Sequence, residues 1–176
     1  RDIFIHAYEQ FNMASMMDIK NLITDFEKIN GHVDLVLIDY LKHLQPGDGI
    51  KYGYDTQAVK MRKENTAEKM KNVAVEFGTR IVTADQADDV PIEIWNDPKK
   101  IMTRHNIAGA KNLPDSFSFM FIGNQTRDEQ KNNTMRISVE KFRNYMIPPE
   151  PIHIATNYKY GRFYDHQRTV QLFYDE

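Results

Sequence analysis

The segment Val33-Asp34-Leu35-Val36-Leu37-Ile38-Asp39-Tyr40-Leu41 constrains the fold more than any other. Leu35 to Ile38 form an apolar run between two carboxylates, which reads as a strand buried on both faces. Such strands belong to parallel sheets, whose ligands bind just outside the carboxyl ends. Asp39 stands at that end. A carboxylate there can hold a magnesium ion, largely through water, beside the phosphates of a nucleotide. The plainer role of such an Asp is to cap the turn after the strand.

The chain has 176 residues, enough for one domain with its own core. Its net charge of −2 excludes a uniformly basic nucleic-acid coat but leaves room for a local basic patch. The absence of cysteine excludes disulfides and thiolate zinc sites, and fits a reducing compartment such as the cytoplasm. No apolar run approaches membrane-spanning length. The six histidines are scattered without metal-ligand spacing and read as structural. The first residue is Arg rather than Met, so a fragment or processed product is expected.

Periodicity places the other elements. Asp2 to Ala7 reads as a short strand. Ser15 with Asp18 resembles a capping box, and Ile19, Leu22, Ile23, Phe26 and Ile29 recur at helical spacing up to an Asn30-Gly31 stop. The strand–helix–strand order argues for a parallel sheet with right-handed crossovers. Residues 51–63 are polar without clear period. A second helix is expected from about Asn65 to Phe77, with Ala67, Met70, Val73, Ala74 and Phe77 as its apolar stripe and Gly78 as its stop. Arg80 to Ala84 is another strand and leads into Asp85-Gln86.

Residues 87–114 make a long excursion, acidic at first and then basic, with Lys99, Lys100, Arg104 and Lys111 in the second part. Ser116 to Ile122 reads as a strand and Thr126 to Asn133 as a turn. Met135 to Arg143 alternates sharply, as a half-buried strand does. Ile152 to Asn157 and Arg162 to Tyr164 read as a hairpin, and Val170 to Tyr174 as an edge strand.

In this order the pieces resemble the C-terminal motor domain of DnaB-type replicative helicases, a branch of the RecA-like ATPases. Leu35 to Leu41 resembles the family's Walker B segment, where Ile-Asp-Tyr-Leu is typical. Ile81-Val82-Thr83-Ala84-Asp85-Gln86 resembles the motif that ends in a sensor glutamine. Phe117 to Ile122 resembles the next core strand, and Ile137 to Asn144 the hairpin segment that carries a Lys and an Arg, matched by Lys141 and Arg143. Tyr160 to Tyr164 resembles the C-terminal strand. The sequence departs from the family at Asp85, where a small Ser is common, and at Glu140 and Phe142, which replace Gly and Gln. The phosphate loop and catalytic glutamate are absent from residues 1–176 and are expected upstream.

The resemblance implies an α/β fold: a RecA-like P-loop NTPase core, mostly a parallel sheet flanked by helices, with a C-terminal antiparallel extension. Residues 1–176 would form a single partial ATPase domain lacking the Walker A strand and loop. The resemblance also implies ATP and Mg2+ as cofactors, with Asp39 on the metal side and Gln86 sensing the γ-phosphate. Lys141 and Arg143 would reach a neighbouring subunit's phosphates as fingers do, which requires a ring of identical subunits, taken as a hexamer. Lys99, Lys100, Arg104 and Lys111 would contact single-stranded DNA, and a primase or loader would be a further partner. The protein would work in the cytoplasm of a bacterium or of a phage host. Two alternatives stay open: another RecA-like ring or filament ATPase (recombinase or circadian-clock type), and a non-catalytic module that binds DNA or a partner.

Overall fold

The computed structural model describes residues 3–8, 14–47, 49–53, 55–87, 90–106 and 113–165. The chain divides into two compact units, Arg1–Gln86 and Ala87–Glu176.

The first unit is built from α1 (Met16–Asn30), β1 (Leu35–Ile38), α2 (Thr56–Phe77) and β2 (Arg80–Thr83). The Ser15 hydroxyl accepts the Asp18 N–H at 3.2 Å while the Asp18 carboxylate accepts the Ser15 N–H at 2.8 Å, which closes the expected capping box. α1 buries Met16, Ile19 and Ile23, whereas Ile29 at its end is exposed. α2 starts nine residues earlier than the apolar stripe predicted. Asp55 caps it through the Ala58 N–H, and Lys63 and Thr66 extend its buried face alongside Ala67, Met70 and Val73. Gly78, in the left-handed region at φ 63°, ends it. α2 connects β1 to β2, which pair in parallel from Leu35↔Arg80 to Ile38↔Thr83.

Two expectations for this unit are corrected. β1 is not buried on both faces: Leu35 and Leu37, which share one face, are exposed, while Val36 and Ile38 on the other are half-buried. Residues 3–8 form no strand; Ile3 and Ile5 point to solvent and pair with no strand among the described residues, while the Phe4 ring packs on Phe26.

Among its described residues the second unit holds three short α-helices, α3 (Ile92–Asn96), α4 (Leu113–Ser116) and α5 (Arg127–Lys131). Its sheet has β3 (Phe119–Asn124), β4 (Thr134–Phe142), β5 (Ile152–Asn157) and β6 (Arg162–Asp165), antiparallel and in sequence order. α5 lies inside the stretch expected as a turn. Thr126 and Glu129 make a second reciprocal capping box at its start. β3, expected as the next strand of a mostly parallel core, pairs antiparallel with β4, since the short connection 125–133 suffices for a hairpin but not for a parallel crossover. The chain is thus α/β with a small parallel sheet and a larger antiparallel one. The expected edge strand at 170–174 and Lys111 lie outside the described residues.

Candidate functional site

The parallel pairing of β1 and β2 puts both carboxyl ends side by side. Two bonds tie them beyond the ladder: the Thr83 hydroxyl donates to the Ile38 carbonyl at 3.0 Å, and the Leu41 N–H donates to the Ala84 carbonyl at 3.1 Å. Asp39 and Gln86 therefore leave the same end of one sheet, each exposed. Asp39 follows β1 directly and its peptide bond to Tyr40 is cis. Its carboxylate makes no hydrogen bond or ion pair with another described residue, so it is open to an incoming cation.

Asp85, beside Gln86, is held on two sides. One carboxylate oxygen lies 2.7 Å from the Lys63 ammonium and the other accepts the Gln86 N–H at 3.0 Å. Lys63 is 4% exposed and Asp85 11%, so the pair is a buried bridge from α2 to the loop that starts at Gln86. Sequence reasoning noted Asp85 only as a departure from a family Ser and passed over Lys63 as part of a polar stretch. The available signal was helical spacing: Lys63 lies four residues before Ala67 and seven before Met70, on the buried face.

Lys141 and Arg143 are in the second unit. Lys141 is the penultimate residue of β4, mostly buried, with its ammonium 3.7 Å from Asp115. Arg143 lies one residue past the strand rather than on it. Its N–H still bonds Ser118 at 2.9 Å, and its side chain is exposed. The two cations flank Phe142, whose ring stacks on Tyr145 at 4.5 Å and tilts against Phe119 at 5.0 Å.

The basic stretch is exposed at Lys99, Lys100 and Arg104. Lys100 is engaged by Glu93 at 2.5 Å, whose hydrogen bond and charge raise its pKa. Lys99 and Arg104 project from a segment that is itself fixed through its backbone. Arg136, 2% exposed, donates to the carbonyls of Pro98 and Lys100. Its charge is balanced by Glu129, whose two oxygens lie 2.6 and 3.1 Å from the guanidinium. Burial pushes the Glu129 carboxyl up, but the bonds from Arg136 and then Thr126 outweigh it and hold it below the usual carboxylate range. Asn124, fully buried, accepts the Met102 N–H and donates to Ser138. None of Arg136, Asn124 or Glu129 was singled out from sequence.

Among the described residues no group of three His, Asp or Glu side chains gathers as a metal cage. A single hard carboxylate such as Asp39 suits magnesium, which keeps most of its waters and takes its remaining ligands from phosphate. No helix among the described residues is long and apolar enough to cross a membrane.

No protein-family model matches the chain, and no curated protein matches it. Among solved structures, the ATPase domain of another protein superposes with a TM-score of 0.68, covering 86% of this chain at 16% sequence identity. The chain is similar in fold to part of that structure. It spans about half of that structure, 51% of its length, and at this identity the likeness is one of fold.

Proposed function

We propose that the chain is the part of a DnaB-type helicase motor that follows the phosphate loop, within a longer protein that hydrolyses ATP to move along single-stranded DNA. The observation that carries this reading is the joint exit of Asp39 and Gln86 from the carboxyl ends of two parallel strands bonded to each other. That is where α/β sheets bind nucleotides, and a carboxylate beside a neutral amide suits a metal-bound triphosphate. The fold likeness to an ATPase domain supports it.

In this reading residues 1–176 are one partial RecA-like domain whose parallel core is completed by the phosphate-loop strand. Mg2+, when bound with ATP, neutralises phosphate charge. Asp39 orients the water shell of that ion, and the Gln86 amide hydrogen-bonds the terminal phosphate. Asp85, clamped by Lys63, fixes the backbone from which Gln86 departs. Lys141 and Arg143 act on the nucleotide of an adjacent copy in a ring, taken as a hexamer. Lys99, Lys100, Arg104 and Lys111 contact DNA phosphates without reading sequence. A primase or loader is a further partner, and the cytoplasm the place of action.

The test is Asp39→Asn in protein that includes the phosphate loop. Asp39 is exposed and makes no ion pair with a described residue, so the variant folds with an unchanged urea midpoint, while ATP turnover falls by ~100-fold or more, in keeping with the loss of a charged transition-state contact. Normal turnover in a folded Asp39→Asn protein removes Asp39 from the site.

A further inference from the structure

We infer that Arg136, Ser138 and Glu140 of β4 form a side-chain ladder that sets the position of the basic stretch, making Glu140 a positioning residue for nucleic-acid contact at Arg104. This rests on the reading of the basic stretch as a phosphate-binding segment.

The observation is one of register. Arg136 bonds the carbonyls of Pro98 and Lys100, Ser138 donates to the carbonyl of Met102 at 3.4 Å, and Glu140 accepts the Arg104 N–H at 3.0 Å. The partner numbers rise together by twos. Residues 98–104 therefore run along β4 in its own direction, as a neighbouring strand would. The bonds come from the side chains of β4, whose backbone pairs with β3 over Arg136–Phe142, apart from Glu140, and with β5 over Thr134–Ile137. The arrangement covers the face of β4 that carries Arg136 and Ser138, which are 2% and 4% exposed. It satisfies the stem's backbone polar groups while leaving the Lys99 and Arg104 side chains outside.

Glu140 occupies a special place in this ladder. Met120 pairs with Lys141 and Phe121 with Val139, so Glu140 is the extra residue of a bulge, a feature that re-aims a side chain. It is also next to Lys141. One residue of β4 thus joins the strand end that carries the cation pair to the backbone of Arg104. A shift of that end on meeting phosphate is passed to Arg104 through a single hydrogen bond.

The test uses full-length protein, with a fluorescent oligothymidylate as probe and amide hydrogen exchange at Arg104. Two variants separate positioning from charge. Glu140→Ala removes both the acceptor and a negative charge; Glu140→Gln removes the charge and keeps an acceptor. Simple electrostatics has both variants bind DNA tighter. Positioning has Glu140→Ala bind ~10-fold weaker and exchange its Arg104 amide ~10-fold faster, the size of one lost charge-assisted hydrogen bond, while Glu140→Gln stays at or above wild type. A purely packing role lowers the melting temperature of Glu140→Ala without separating the two variants in DNA affinity, and that result overturns the positioning role. Unchanged exchange in Glu140→Ala overturns the ladder. Faster exchange with wild-type affinity also overturns the positioning role. Wild-type protein that binds no oligothymidylate overturns the phosphate-binding reading of the stretch, and the exchange result then still decides the ladder.

Discussion

Cutting the Lys63–Asp85 bridge from one side and then the other gives two different losses. At 2.7 Å, two unit charges attract by about 6 kcal/mol at an effective dielectric of ~20. Desolvating each ion offsets most of that, so the intact pair contributes little net stability. Removing one partner is another matter, because the remaining charge keeps its desolvation cost. In Asp85→Ala the ammonium of Lys63 is stranded at 4% exposure and the Gln86 N–H loses its acceptor. The expected loss is ~3–5 kcal/mol, a large share of the ~5–15 kcal/mol by which a domain is stable. In Lys63→Met the stem packing survives. The Asp85 carboxylate, 11% exposed, keeps the Gln86 N–H and some access to water, so ~1–3 kcal/mol is expected. The double variant should lose less than the sum of the two single losses, by a coupling of ~2 kcal/mol. Urea unfolding followed by far-UV circular dichroism, which reports on α1 and α2, reads these as midpoint shifts. At a slope of ~2 kcal/mol per M, Asp85→Ala moves the midpoint down by about 1.5–2.5 M. Equal effects of the two single variants, or strict additivity in the double, would refute the claim that the cost comes chiefly from burying an unpaired ammonium.

Gly47 and Gly49 offer a contrast between strain and crowding. Both have positive φ, 76° and 77°, but a Cβ on Gly47 would sit 3.1 Å from the Met17 backbone nitrogen and 3.3 Å from the Ser15 Cβ, whereas nothing lies near one on Gly49. Gly47→Ala should cost roughly 1 kcal/mol more than Gly49→Ala by urea melts, because it adds pressure on the α1 cap to a similar backbone penalty; equal costs would show that the α1 start yields freely. Stability should also fall in acid through Glu129 and Asp18. Bonds from the Ser15 hydroxyl and then its N–H hold the Asp18 carboxyl below its usual value, as those from Arg136 and Thr126 do for Glu129 against the opposing effect of burial. Both pKa values are depressed on folding, so the contribution is complete above the unfolded values and is lost as pH falls through the folded ones. The difference in urea midpoint between wild type and Glu129→Gln should therefore shrink below about pH 4, and a difference independent of pH would contradict it.

The elements legible in the sequence were those whose causes lie within a turn or two of chain. The Ser15–Asp18 box, the Gly78 stop, the apolar run before Asp39 and the alternation of β4 were each found where local chemistry put them. Local chemistry also explains the misses at α2 and α5. Asp55 and the Thr126–Glu129 box are ordinary caps, but the polar residues after them gave no apolar stripe to announce a helix.

The rest needed the tertiary structure. Alternation made β4 a strand and placed Arg136 and Ser138 on its polar face. Residues 98–104, about 36 positions earlier in the chain, cover that face and bring backbone carbonyls that need donors. Lys63 and Asp85 likewise meet only because β2 packs back along α2. Asp39 could be named from its own segment. That its neighbour at the sheet end is Gln86, and that Gln86 is braced by a buried ion pair, depends on pairings between distant residues. No pattern within a single strand or helix encodes such pairings.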